Sequence, residues 1–273
     1  VGKCKGRGSP IRVPFVPIIG TAASIGYYGQ FLNYTVYKGT MPDRRNTIEG
    51  CLLGCAVGDS ICLPYEGISP RRIGRMLKQP LRHSFLFGRG MISDDTDHSV
   101  FVGQSLARNP TDPDKFARCL AWRLRLWLLC LPAGIGMATL KSILRLWCGI
   151  SPSRSGVFSA GNGAAMRSAV IGVVYSEDSE LRHRFTQASS AITHSDPKAS
   201  FGARAIADLA ASASRNSNPI SVKKLEQILD SAGDGDEWKE AIARIVDACQ
   251  SGRVEDAVAP SGMQRGVSGY ILH

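Results

Sequence analysis

The first 40 residues contain no aspartate and no glutamate. They also lack helical periodicity, and the first methionine of the chain is Met41. These absences predict that residues 1–46 form a leader, non-homologous to the rest of the chain and disordered or non-native, ahead of a folded unit at 47–273. Cysteine pairing is missing too. The eight cysteines, Cys4, Cys51, Cys55, Cys62, Cys119, Cys130, Cys148 and Cys249, contain no C-x-x-C pair. That argues against a zinc site or a disulfide framework and for a reducing, cytoplasmic setting, with most thiols acting as small apolar side chains. No run reads as a membrane span, because the best candidate, Val13 to Tyr37, is broken by Pro14, Pro17, Gly20, Gly26 and Gly29. No sustained two-residue alternation occurs, so few or no strands are expected.

The charge is positive but unevenly placed. Residues 1–40 carry Lys3, Lys5, Arg7, Arg12 and Lys38, and the remaining 233 residues hold 28 basic and 23 acidic side chains. A basic run at Arg71, Arg72, Arg75, Lys78 and Arg82 fits a solvated helix face, or a patch for phosphate or an acidic partner. No aromatic residues interleave with it, so no specific nucleic-acid partner is expected.

From Asn46 onward the pattern is helix after helix. Asn46 with Glu49 resembles a capping box. Ile48, Cys51, Leu52 and Cys55 mark one face, and at 100° per residue Asp59 returns to within about 20° of it. An inward carboxylate needs a partner, so Asp59 is either the cap of a neighbouring helix or a ligand. Asp112 and Pro113 open a helix with Phe116, Cys119, Leu120, Leu124, Trp127 and Leu128 inward, and Pro132 ends it. Met137–Trp147 comes next, with Leu140, Ile143, Leu144 and Trp147 as its apolar stripe. Helices are also expected over 164–175, over 199–213 after Pro197, and along Trp238, Ile242, Ile245, Val246 and Cys249. The fold class is all-α, a single compact multi-helix domain without repeats.

The sharpest chemical signal is Ser93-Asp94-Asp95-Thr96-Asp97-His98. Three carboxylates in four positions at a helix start repel one another. Water screens them, or one is protonated, or a cation neutralises them. A donor set made only of oxygen suits Mg²⁺, Ca²⁺ or Mn²⁺ better than zinc. The plain alternative is an acidic, solvated helix N-terminus.

Three further segments stand beside it: Gly50 to Asp59 followed by Pro64-Tyr65-Glu66-Gly67, Gly161-Asn162-Gly163-Ala164-Ala165-Met166-Arg167, and Thr193-His194-Ser195-Asp196-Pro197. In this order and spacing the four resemble the ADP-ribosylglycohydrolase family, which includes the dinitrogenase-reductase-activating glycohydrolases. The resemblance runs from about Ile48 to Leu272, with Gly134-Ile135-Gly136 and Gly266 to Tyr270 as further segments.

The resemblance implies an all-α fold and two Mg²⁺ or Mn²⁺ ions. It implies removal of ADP-ribose from a modified protein side chain or from a small ADP-ribosyl acceptor. By motif, Ser93, Asp94 and Asp95 match metal ligands, and Glu66 matches an acid beside substrate and metals. Asn162 and Gly163 match the loop that holds ADP-ribose, and His194 matches a histidine of the same cleft. Glu66 is the expected general base, with Asp97 second, and Arg167 is expected to pair with Asp97. The family's closing Asp-x-Asp-Thr segment has no match, so the domain is expected to lack its C-terminal part. The competing expectation is a non-catalytic ADP-ribose-binding or structural member, or an inactive fragment. No membrane partner is expected.

Overall fold

The computed structural model describes residues 44–68, 70–76, 82–85, 88–132, 135–215 and 219–252. Most of the leader, Lys78, Gly134 and the Gly266–Leu272 segment lie outside the described residues.

The described chain is helical throughout, with two isolated bridges, Phe85 to Arg89 and Val157 to His194, and no strand among the described residues. Helix α1 is Arg44–Cys62, continued by a 3₁₀ turn over Leu63–Tyr65. It begins ahead of the expected cap, so Asn46 lies inside the helix, and Glu49 pairs with Arg45 at 2.7 Å. Pro64 marks the end, since its ring and missing N–H cannot extend an α-helix. Short α2 is Pro70–Met76, where Arg72 and Arg75 are exposed as a solvated face requires.

Helix α3 is Asp94–Arg108 and α4 is Pro113–Leu129. Asp112 caps α4 as expected, its Oδ1 accepting from the amides of Asp114 and Lys115 at 3.0 and 2.9 Å. Helix α5 is Met137–Trp147, but its phase differs from the expected one. Thr139, Ser142, Ile143 and Leu146 are buried, while Leu144 and Trp147 are exposed. Trp147 instead meets Trp122 edge to face at 6.4 Å, with the Arg125 guanidinium 4.6 Å over Trp122. This outer aromatic cluster turns the helix by one residue relative to the all-apolar stripe.

The helix expected over 164–175 is divided. A 3₁₀ turn at Asn162–Ala164 leads through a turn into α6, Ala169–Val174. Helix α7 is Ser179–Thr193, α8 is Pro197–Arg215, α9 is Val222–Ala232 and α10 is Asp236–Ser251. Two apolar clusters hold them. The larger joins α3 to α7 through Leu106, Phe116, Leu124, Ile143, Ile171 and Phe185. Phe185 packs on Phe116 at 5.1 Å and on Tyr175 at 4.8 Å. The smaller joins α8, α9 and α10 around Trp238, Leu229 and Ile242. All seven described cysteines are free. Cys62, Cys130, Cys148 and Cys249 are exposed rather than packed, because each lies at or near a helix end, beyond the buried stripe.

Backbones approach closely between α6 and α8. A Cβ at Gly172 would lie 2.1 Å from the carbonyl oxygen of Ala207. Backbone cannot rotate away as a side chain can, so the two helices must separate. Gly172→Ala is expected to destabilise the fold by about 1–3 kcal/mol, the usual scale of overpacking, or more. Urea unfolding of the two proteins measures this; equal midpoints would show that the α6–α8 contact tolerates a methyl group.

Candidate functional site

The site is built at the start of α3. Asp59, near the end of α1, is 7% exposed, and its Oδ2 accepts from Ser93 N at 2.8 Å, Thr96 N at 3.2 Å and Thr96 Oγ1 at 2.5 Å. Of the two roles left open for Asp59, the structure shows the capping role: one carboxylate from α1 takes the free amides of another helix. Its other oxygen, Oδ1, is buried and meets no hydrogen-bond partner. Ser93 is the N-cap residue, yet its own hydroxyl accepts only a long 3.5 Å bond from Asp95 N. Asp59 therefore does most of the capping, and the Ser93 hydroxyl and the Asp94 and Asp95 carboxylates remain for other use.

The electrostatics are adverse. Burial and the neighbouring Asp95, Glu66 and Asp59 charges push Asp94 up to about 7. Asp95 is raised by burial and by Asp59. Glu66 follows the 3₁₀ turn in a loop closed by Gly67 at φ +68°, and it is exposed. It is raised by desolvation, then by Asp95 and Asp59. Asp59, Glu66, Asp94 and Asp95 thus share one electrostatic neighbourhood. Among the described residues, no three His, Cys, Asp or Glu side chains converge closely enough to chelate an ion by themselves.

Asp97 faces elsewhere. Its Oδ2 accepts from Trp127 Nε1 at 2.9 Å, so it does not pair with Arg167. Burial raises its pKa and the indole bond opposes that rise. Arg167 is fully buried and bonds α7 instead: Nε donates to Ser189 Oγ at 3.0 Å, and Nη2 donates to Ser189 O at 2.9 Å and Thr193 Oγ1 at 2.7 Å. Desolvation lowers it to about 10, and Asp94 opposes the fall, so it stays charged at neutral pH.

Thr193 passes the interaction on. Its oxygen accepts from Arg167, so its proton is free to donate to His194 Nδ1, 2.8 Å away. That assignment leaves the proton of the neutral imidazole on Nε2. The ring lies against Gly163, where an added Cβ would sit 2.8 Å from Cε1 and 3.5 Å from Nε2. His194 is fixed in the backbone as well, because Ser195 N donates to Val157 O at 2.9 Å and Val157 N to Thr193 O at 3.2 Å. The structure therefore joins Gly163 and His194 directly and leaves Asn162 exposed one residue away. Ser99 Oγ donates to Met166 O at 3.3 Å and ties this second group to α3.

The sequence reading assigns no role to three contributors: Thr96, Thr193 and Trp127. The two threonines lie inside the quoted motifs, which is a usable signal. Trp127 reads as an ordinary core position. One exclusion also needs correction: Arg45–Tyr65 is long and apolar enough to cross a membrane by length and composition, with a mean hydropathy of 1.3. In this fold Asp59 commits that helix to α3.

Fold and site together define an all-α protein whose acidic helix is tied, through Ser99, to the turn that lays Gly163 against His194. The ADP-ribosylglycohydrolase family model matches residues 40–273, and the chain belongs to that family. An uncharacterized protein of Archaeoglobus fulgidus is 37% identical over 167 residues, covering 58% of this chain and 53% of the relative. The chain thus spans about half the length of that curated relative. A solved structure described as an "ADP-ribosylglycohydrolase-related protein complex" superposes with a TM-score of 0.53 at 22% identity, over 85% of this chain and 73% of that one. At that identity the likeness concerns the fold.

The buried imidazoles and carboxylates pull stability in opposite directions with pH. His194 is lowered to about 4, by burial and then by Arg167, and fully buried His98 is held well below the ordinary imidazole value, first by burial. Below about 6.5 the unfolded histidine takes a proton that the folded one refuses, so this contribution is lost as pH falls from 6.5 toward 4. Asp94 does the reverse: its stabilisation is fully present below 3.8 and is lost as pH rises through about 7. The histidine part is isolated by His194→Gln. The variant's deficit relative to the parent at pH 7.5 is expected to shrink below pH 6.5, by at most about 1.4 kcal/mol per pH unit. A deficit independent of pH in denaturant titrations would refute the neutral, buried imidazole.

Proposed function

We propose that this chain carries the site of a metal-dependent hydrolase that removes ADP-ribose from a modified protein side chain or from another ADP-ribosyl acceptor. The observation that supports it best is the buried, unpaired Oδ1 of Asp59 beside Ser93, Asp94 and Asp95. An unpaired carboxylate oxygen beside Asp94 and Asp95, whose pKa values burial and neighbouring negative charge raise, fits a hard cation, whose oxygen-only preference matches this donor set. Ser93, Asp94 and Asp95 would hold Mg²⁺ or Mn²⁺, two ions by family resemblance, with Asp59 beside them. When bound, such ions supply positive charge for ribose hydroxyls and acidify water.

The protein's own groups do the rest. Glu66, exposed yet raised in pKa, accepts a proton of the attacking water as the water oxygen bonds to the ribose anomeric carbon and the bond from that carbon to the acceptor breaks through an oxocarbenium-like state. The proton then passes to the departing acceptor, which restores the Glu66 carboxylate. Gly163 leaves room for the His194 ring against the turn, and Asn162 offers its amide beside it. His194 Nε2–H donates a hydrogen bond from a neutral ring held by Thr193 and Arg167. Asp97 is occupied by Trp127, which makes it a positioning residue for α4 against α3 rather than the base.

Release of free ADP-ribose from arginine- and serine-modified peptides, with Mg²⁺ or Mn²⁺ and beside calorimetry with ADP-ribose, tests this reading. Glu66→Gln keeps size and hydrogen-bonding reach but cannot take a proton. It should lower kcat by about 10²–10⁴-fold and leave ADP-ribose affinity nearly unchanged. Asp94→Asn should weaken metal and ADP-ribose binding together. Normal turnover by Glu66→Gln removes the base assignment. Tight ADP-ribose binding without hydrolysis of any linkage favours the non-catalytic reading.

A further inference from the structure

A polar cavity of about 190 Å³ lies between α7, α8 and α9, lined by none of the residues of the acidic site. Arg182 and His183 of α7, Asp208 and Arg215 of α8, and Lys224 of α9 form its charged wall. Asp208 is the one carboxylate in that wall, and it is already engaged. Arg182 Nε donates to its Oδ1 at 2.6 Å, His183 Nε2 lies 3.0 and 3.1 Å from its two oxygens, and Arg204 Nε approaches Oδ2 at 3.7 Å. Arg182 is buried and immobilised, since Nη1 also donates to the carbonyls of Tyr175 at 2.8 Å and Ser176 at 3.3 Å. Arg215 Nη1 donates to the same Ser176 carbonyl at 2.8 Å.

Arg215 and Lys224 form no ion pair among the described residues. Arg182, Arg215 and Lys224 against Asp208 leave the wall two positive charges in excess, before His183 is counted. Such an excess, gathered from three helices and partly fixed by carbonyl bonds, is an anion site in its electrostatics. The volume is below the roughly 300–1,000 Å³ of pockets for drug-sized ligands, which suits a compact anion rather than a nucleoside. Planar guanidinium forks and an ammonium group are the usual partners of phosphate oxygens.

We propose that this cavity binds a phosphate group, free or carried by a small ligand, with Arg215 and Lys224 as its charge partners and Arg182 as the fixed wall behind them. The site is distinct from the acidic one. Along α7, eleven residues separate His183 from His194, about 16 Å of helix.

Calorimetry and thermal unfolding of the full chain test this, with inorganic phosphate, AMP, and sodium chloride at matched ionic strength. Phosphate should raise the melting temperature where chloride does not. Arg215→Gln/Lys224→Gln should weaken phosphate binding at least tenfold, while Asp94→Asn leaves it unchanged. Tighter binding of AMP than of phosphate, lost in the same double variant, identifies a phosphorylated ligand; equal or weaker AMP binding identifies free phosphate. Circular dichroism checks the fold of the double variant, and Lys224→Gln alone, at an exposed position, gives a reading if that variant unfolds. A phosphate effect no larger than that of chloride, or one retained in both Arg215→Gln and Lys224→Gln, overturns the assignment.

Discussion

One carboxylate organises the acidic end of this fold. Asp59 reaches from α1 to the first turn of α3 and takes two backbone amides and the Thr96 hydroxyl on a single oxygen. Hydrogen bonds to a charged group contribute about 1.5–3 kcal/mol each, and these three fix where α3 begins. Because Asp59 caps the helix, the residues that would normally cap it are released. Ser93 holds its amide partner only at 3.5 Å, and Asp94 and Asp95 direct no carboxylate to the helix's own amides beyond their local turn. A cap supplied from another helix thus leaves buried Ser93 and the half-buried Asp94 and Asp95 without the usual capping task.

The second organising device is a relay of polar contacts within the protein. Arg167 bonds two residues of α7, Thr193 passes the contact to His194, and His194 lies on Gly163. The buried face of α7 carries Arg182, Thr186, Ser189, Ser190 and Thr193 beside only two apolar residues, Phe185 and Ile192. Such a face costs stability unless each group is partnered. Most of these groups are partnered, to Asp208, Arg167, Ser200 and His194. The same helix therefore supplies the histidine's orientation at one end and the wall of the anion cavity at the other.

These two devices explain what is legible in the sequence. Helices with apolar stripes, α4 and α10 above all, are visible because burial of Phe116, Leu124, Trp238 and Ile242 follows the 3.6-residue period. Helix α7 is not, because its inward positions are polar and its apolar ones few. The stretch from Ala164 to Ser168 reads as helix because most of its residues are small or apolar, yet the chain passes there through turns, with Arg167 buried. The phase of α5 escapes for a different reason: Trp147 is drawn outward by Trp122 and Arg125, a contact between helices that no single-helix pattern records. The acidic cluster is legible from spacing alone, but its partner Asp59 is only half so. Helical phase places it inward without saying what it meets.

The remaining tension in the structure is electrostatic. Arg167 is a buried cation near the acids, and Asp94 acts to keep it charged. Its donors, however, are spent on α7, and only a long contact of 3.5 Å leads back toward α3, to His98. One guanidinium facing away does not offset Asp59, Asp94, Asp95 and Glu66. The raised pKa of Asp94 follows first from its burial and then from that deficit, and protonation is the relief the protein's own groups provide. A local arrangement that weakens the fold by itself is characteristic of places where stability has been yielded to chemistry. Here the weakness has a sign and a location, negative charge at the start of α3, which is where the proposed cation would act.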